Sequence, residues 1–290
     1  MKSFHAFLIF VLSVQVASSK QGSVISIKTI KSSSKAIQAH TNDILHTKPP
    51  PLLSLSNHRG GDGTQSTSLH IRTISKKTAV VFGMILAFNS GILNGACLSG
   101  LLGDGTKQAT SAVTGAWTNS ALGAATHNKS QFQFQTKCIL SYLFGSFLSG
   151  TLHPHPQSFC IDVPNYRRIF FLGSIFLCFA HRLCQKSNSS YFFVAAICNG
   201  MQNSITSTTT ANLVRSAHFS GCTSDMGTFF GQYLRGNRTN LLKLKVFLLL
   251  TISFWIGGFM SYILTHSLGA QLFLWNAGLY FGIGVGLSLV

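Results

Sequence analysis

From residue 79 onward the chain reads as long apolar runs separated by short polar links. A helix needs about 20 mostly apolar residues to cross a bilayer. Six stretches approach that requirement: 79–102, 132–152, 168–183, 191–213, 244–266 and 271–290. The fifth is the most uniformly apolar and the third is the shortest. The second half of the fourth, from Asn203 to Asn212, is crowded with Ser, Thr and Asn. Such groups are costly against lipid, so they are expected to face other helices or a cavity. Two further stretches, 110–126 and 216–234, follow the first and fourth runs. They are semi-polar, rich in Gly and Ser, and predict helices lying against or partly entering the membrane. Together these elements predict an all-α membrane protein with about six transmembrane helices.

A pattern recurs along this region. Gly91-Ile92-Leu93-Asn94 and then Thr114-Gly115 in the first half are followed by Gly200-Met201-Gln202-Asn203 and then Ser220-Gly221 in the second. Gly145-Ser146-Phe147-Leu148-Ser149 likewise has a counterpart in Gly257-Gly258-Phe259-Met260-Ser261. Order and offsets agree, which predicts an internal duplication with repeats at about 79–184 and 190–290. Three spans per half is an odd number, so the second half is expected to be inverted relative to the first, as in many transporters. The runs Gly145/Ser149, Ser146/Gly150 and Gly278/Gly282/Gly286 have the spacing of helix-packing faces.

Composition sharpens the membrane assignment. Charged residues make up 9% of the chain, Glu is absent, and the acids are Asp43, Asp62, Asp104, Asp162 and Asp225. A soluble surface carries both signs of charge in quantity. The net charge of +17 is not arranged as a nucleic-acid footprint, because the basic residues fall in the leader and in short links between apolar runs. Lys76, Lys77, Arg167, Arg168, Arg215, Arg235, Arg238 and Lys243 fall on one predicted side, and Lys107, Lys129, Arg182 and Lys186 on the other. The start of the first span is therefore expected on the cytosolic or stromal side. Residues 1–19 have a basic start, a short apolar core and small residues at a cleavage position, as a signal segment does. Residues 20–77 are basic, hydroxyl-rich and acid-poor, and are expected to be a disordered leader or transit-like segment preceding a membrane domain at 78–290. Plastid-membrane or endomembrane localisation follows.

The candidate polar pathway consists of Asn94, Gln202 and Asn203 inside spans, with Thr114, Gly115, Asn119, His218, Ser220, Gly221 and Asp225 in the semi-polar stretches. The two Gly-containing pairs are expected to meet at the repeat interface, with Asp225 at the edge and Asn119 as its positional counterpart. Arg215 and His218 are expected to join Asp225 in a polar cluster. The seven cysteines contain no CxxC pair and are read as small apolar residues. His153-Pro154-His155-Pro156 reads as a solvated loop, and neither a metal site nor a cofactor is expected. No HExxH, Walker or GxSxG motif occurs, so no enzyme is expected.

The stretch Asn199 to Gln232, with its Gly200-Met201-Gln202-Asn203 run, Ser220-Gly221 pair, Asp225 and Gly227, resembles the signature of the YoaK family of small multi-pass membrane proteins. The first half resembles that family's N-terminal element, with Asn94 where the family carries an acid and Ala116 where it carries Asn. The resemblance spans about residues 79–290 and implies a fold; the family's domain has no assigned function. Two functions fit these observations: a transporter or permease for a small solute, with the lipid bilayer as its surroundings, or a non-transporting membrane scaffold or assembly factor.

Overall fold

The computed structural model describes residues 71–289. The signal-like segment and the leader up to residue 70 lie outside the described residues. Within them the chain forms eight α-helices: α1 (Lys76–Ser99), α2 (Val113–Ala125), α3 (Lys129–Leu152), α4 (Val163–Gln185), α5 (Tyr191–Thr209), α6 (Phe219–Leu234), α7 (Leu241–Leu268) and α8 (Leu272–Leu289). Each apolar run and each semi-polar stretch read from the sequence falls on one of these helices. Two stretches, Lys76–Ser99 and Leu241–Ser288, are long and apolar enough to cross a membrane by length and composition; the second holds α7, a 3₁₀ turn at Gly269–Gln271, and α8.

Local chemistry sets the ends of the helices. Ser75 caps α1 through its hydroxyl, which accepts from Thr78 N at 3.0 Å, and Gly100 closes the helix in the left-handed region at φ 72°. Asn128 caps α3 by accepting from Gln131 N. Pro164 stands in the first turn of α4, where its missing N–H costs nothing. The hydroxyl-rich end of α5 satisfies itself. Thr206, Thr209 and Thr210 donate to carbonyls four residues back, at 2.7–2.9 Å. That back-bonding shields polar groups in a helix that is mostly buried.

Two short strands add to the helical design. β1 (Ile71–Thr73) pairs antiparallel with β2 (Cys160–Asp162), Ile71 opposite Asp162. Residues 71–77, the end of the stretch expected to be unstructured, therefore hold β1 and the start of α1. The loop at 153–162 is solvated at Pro154, His155 and Pro156, which are exposed, but not at His153. His153 is buried, its Nδ1 lies 4.0 Å from Asp162, and its ring meets Tyr166 edge-on. Burial holds the imidazole below its ordinary pKa, against the opposing pull of Asp162. Phe159 accepts from Ile74 N through its carbonyl and donates its N–H to Thr209 O. The start of α1, the α3–α4 link and the end of α5 are thereby gathered at one end of the bundle.

The helices pack in three main pairs: α1 with α7, α3 with α5, and α4 with α8. α2 lies on α3, and α6 on α7. Two of these pairs approach backbone to backbone. A Cβ on Gly91 would strike Phe254 O, and one on Gly257 would strike Phe88 O. A Cβ on Gly200 would strike Tyr142 O, and one on Gly145 would strike Ile197 O. Not every glycine expected to pack does so. Gly150, Gly278, Gly282 and Gly286 have open space where a Cβ would stand, while Gly284 meets the Phe171 ring. One core cluster joins α1, α4, α5 and α8, and a smaller one joins α1, α6 and α7. Outside them, large apolar side chains such as Phe147, Ile175, Trp255, Phe259 and Trp275 are exposed.

A carbonyl in a helix cannot move aside as a side-chain tip can. Replacing Gly91, Gly145, Gly200 or Gly257 by Ala is therefore expected to cost about 1–3 kcal/mol each. Gly150→Ala, with room for its methyl group, is expected to stay within about 0.5 kcal/mol. Thermal unfolding of the purified variants in detergent checks this; melting temperatures for Gly91→Ala and Gly150→Ala that match would contradict it.

Candidate functional site

The glycine crossings bring polar side chains on α1 and α5 into the same layer. Ser90, the residue before Gly91, donates to Asn199 Oδ1 at 2.8 Å, and Asn199 is the residue before Gly200. Asn199 Nδ2 then donates to Thr110 Oγ1 at 3.0 Å. Gln202 Nε2 donates to Leu86 O at 2.9 Å, and Gln202 Oε1 accepts from the Tyr280 hydroxyl at 2.6 Å. These groups are fully buried or nearly so. A hydrogen-bonded amide inside an apolar bundle contributes about 1 kcal/mol. Left unpaired, the same groups carry a larger desolvation cost. The network therefore fixes the register of α1, α5 and α8.

The amides of the repeated motif have a second task. Asn94 Oδ1 accepts from Thr110 N at 2.9 Å and from Ser111 N at 3.0 Å, holding the segment that leads into α2. Asn203 Oδ1 accepts from Ala217 N at 3.2 Å, in the segment that leads into α6. Asn94 thus aims an oxygen acceptor at two backbone N–H groups, and a charge is not needed for that role.

The other sequence candidates are placed differently. Thr114, Gly115 and Asn119 are exposed on α2, and the space around Gly115 is open. Ser220 is exposed on α6, and Gly221 lies under the His218 ring and the Arg215 guanidinium. Arg215 reaches Asp225 at 3.7 Å, with both groups partly open to solvent. The cluster of Arg215, His218 and Asp225 is therefore present, but at the surface, where an ion pair contributes little. The two Gly-containing pairs do not form a joint site as expected from the sequence. α2 packs on α3 and α6 on α7, so the pairs are carried on separate flanks. Thr114, Gly115 and Ser220 face outward on these helices, and Gly221 is half-buried.

A crevice of about 800 Å³ runs between α1 and the α7–α8 corner. Phe88, Ile92, Leu264, Leu268 and Leu279 supply apolar walls, with Asn89 and Asn276 as buried amides among them. Asn276 Nδ2 donates to Leu272 O. Asn89 Nδ2 is buried and faces the Tyr280 hydroxyl of α8. A smaller polar pocket of about 450 Å³ is lined by Lys107, Gln108, Asn128, Gln131 and Gln135. Among the described residues no group of His, Cys, Asp and Glu is placed to hold a metal. Ser90, Asn89, Asn199, Asn276 and Tyr280 were not singled out from the sequence. The position directly before each repeated glycine would have pointed to Ser90 and Asn199.

Residues 82–286 match the family described as a protein of unknown function (DUF1275). The chain belongs to this family. No curated protein and no solved structure matches it. The DUF1275 region begins within α1 and ends within α8, so it contains every residue of the buried network and of the crevice. Both Asn94 and Asn203 are inside it.

If the Asn94 oxygen is what holds the approach to α2, Asn94→Leu strands two buried N–H groups, at a cost of about 2 kcal/mol. Asn94→Asp keeps the acceptor. Hydrogen exchange at the Thr110 and Ser111 amides is expected to accelerate in Asn94→Leu and stay slow in Asn94→Asp; unaltered exchange in Asn94→Leu would overturn this role.

Proposed function

We propose that this DUF1275 protein is a YoaK-like, six-span membrane protein built from two inverted halves, and that it acts as a permease for a small solute. The observation that carries this reading is the matched pair of close crossings. Gly91 and Gly200 are 109 residues apart, as are the carbonyls Phe88 and Ile197; Gly145 and Gly257 are 112 apart, as are Tyr142 and Phe254. The same offsets relate α1 on α7 to α5 on α3. A pseudo-two-fold relation predicts that correspondence, and three spans per half make the relation an inversion. Exposed Phe147, Trp255, Phe259 and Trp275 suit contact with lipid. In this reading α3, α4 and α5 cross the bilayer as well, their Gln, Arg and Thr residues lying at the ends or within the bundle. The chain is read as a carrier rather than an enzyme, with the bilayer and a small solute as partners. The basic, acid-poor leader favours a plastid membrane or the endomembrane system.

One observation favours a scaffold instead. The Thr114-Gly115 and Ser220-Gly221 elements face outward on separate helices, where a partner protein reaches them more readily than a central solute. Flux separates the two readings. In proteoliposomes screened with neutral, anionic and cationic solutes, the permease reading expects saturable uptake of at least one class. Uptake is expected to fall in Gln202→Leu, at the centre of the network, and to persist in Asp225→Asn, whose carboxylate sits in a surface ion pair. Flux no greater than that of protein-free liposomes across the panel favours the scaffold.

A further inference from the structure

His153 has a positional counterpart in the second half that does not share its chemistry. Thr265 stands 112 residues later, the offset that relates α3 to α7 at their glycine crossings. Thr265 is buried and donates to Ser261 O of its own helix at 2.6 Å, so its polar group is satisfied. His153 is similarly buried, 5% exposed, but its Nε2 has no hydrogen-bond partner among the described residues. Its Nδ1 lies 4.0 Å from Asp162 Oδ2, beyond hydrogen-bond reach. Asn165 Nδ2 donates to that same oxygen at 2.7 Å and holds the carboxylate where it is. Tyr166 meets the ring edge-on, at a centroid distance of 5.7 Å. This place suits a neutral imidazole. A cation there carries two N–H donors with no acceptor at bonding distance of either.

The ring sits where three segments are tied together. β2 pairs with β1 just ahead of α1. The Phe159 carbonyl accepts from Ile74 N at 2.8 Å, and Phe159 N donates to Thr209 O at 2.6 Å, at the end of α5. Tyr166, which covers His153, faces Thr209 through its hydroxyl. α1 and α5 are also the helices joined by Ser90 and Asn199. We propose that His153 is a proton-sensitive latch at this end of the bundle: the neutral ring lets the β1–β2 ribbon close, and the imidazolium releases the ribbon and with it the ties between the start of α1 and the end of α5. Burial is the main cause that holds the imidazole below its ordinary pKa of 6.5; Asp162 pulls the other way, and His155 on the same link adds to the lowering. Arg72 on β1 and Lys76 at the start of α1, over the Phe159 ring, are the charges carried by the segments tied here, and both are exposed. The closed form thus binds the proton more weakly than the open one. Its stability is complete above about pH 6.5 and is lost as pH falls below that value. In transport the latch would regulate access from this face, a role that rests on the permease reading; the latch itself does not.

Amide hydrogen exchange of the purified full chain in lipid nanodiscs reads the latch at Ile74 and Phe159, whose N–H groups make the two ties. Rates are corrected for the intrinsic pH dependence of exchange. Between about pH 7.5 and about pH 5.5 both amides are expected to exchange about fivefold faster. Thr110 and Ser111, held by Asn94, are expected to stay unmoved. His153→Leu keeps an apolar group in place of the ring and is expected to abolish the acid response, whether its ribbon is closed or open. Asp162→Asn gives a second, independent reading. It removes the carboxylate that favours the cation while leaving an acceptor for Asn165, and is expected to enlarge the acid response. No acid response in the unaltered chain, an equal response in His153→Leu, or a smaller one in Asp162→Asn would each overturn the latch. An acid response at the ribbon without flux of any solute leaves the latch standing and removes the permease reading. Flux with a ribbon indifferent to pH does the reverse.

Discussion

The structure depends on contact between helix backbones. Four glycines, Gly91, Gly145, Gly200 and Gly257, each sit against a carbonyl of the facing helix, with no room for a methyl group. Close approach of this kind is how helices associate where the surroundings are as apolar as their side chains. It has a further consequence. When two backbones are this near, the residues beside the glycines are pressed into one layer. Ser90 and Asn199 flank the crossings and meet there at 2.8 Å. Dispersion at the glycines and hydrogen bonding beside them thus select the same register.

Around that centre the polar groups are unevenly distributed. Gln202, Asn199, Asn94 and Asn203 are each committed to named partners, and the threonines at the end of α5 bond to their own helix. Burial without pairing is rare among the described side chains: Asn89, Gln135 and His153 each carry one such atom. His153 is held between Asp162 and Tyr166 where the β1–β2 ribbon closes one end. Gln135 still donates to Gln108. Asn89 alone of the three lines the large crevice, and it does so where α8 stands off from α1.

Much of this was legible in the sequence. The six apolar runs and the two semi-polar stretches fall on the eight helices, because the runs were long and separated by short polar links. The repeated glycines marked the crossings, since no larger residue fits there. Other features were not legible, for identifiable reasons. Thr114 and Ser220 looked like lining for a pathway because their matched places in the two halves suggested a meeting at the repeat interface. The direction in which a helix faces depends on its partner, and α2 and α6 turn these residues outward. Gly278, Gly282 and Gly286 had the spacing of a packing face but lack a partner on the described chain. His153 was hidden by its prolines, which suggested an open loop; its neighbours Asp162 and Tyr166 stand further along the chain, and nothing in the sequence signalled the contact. The match to DUF1275 supports the extent of the domain and leaves its activity to be established from the site.

The central claim is that two halves of opposite orientation meet at the glycine crossings. Single cysteines at Asp104, after α1, and at Asn212, after α5, test it most directly, since both positions are exposed and occupy matching places in the two halves. In a background cleared of native thiols and reconstituted in sealed vesicles, a membrane-impermeant maleimide is expected to label the two positions from opposite faces. Labelling of both from the same face would contradict an inverted pair.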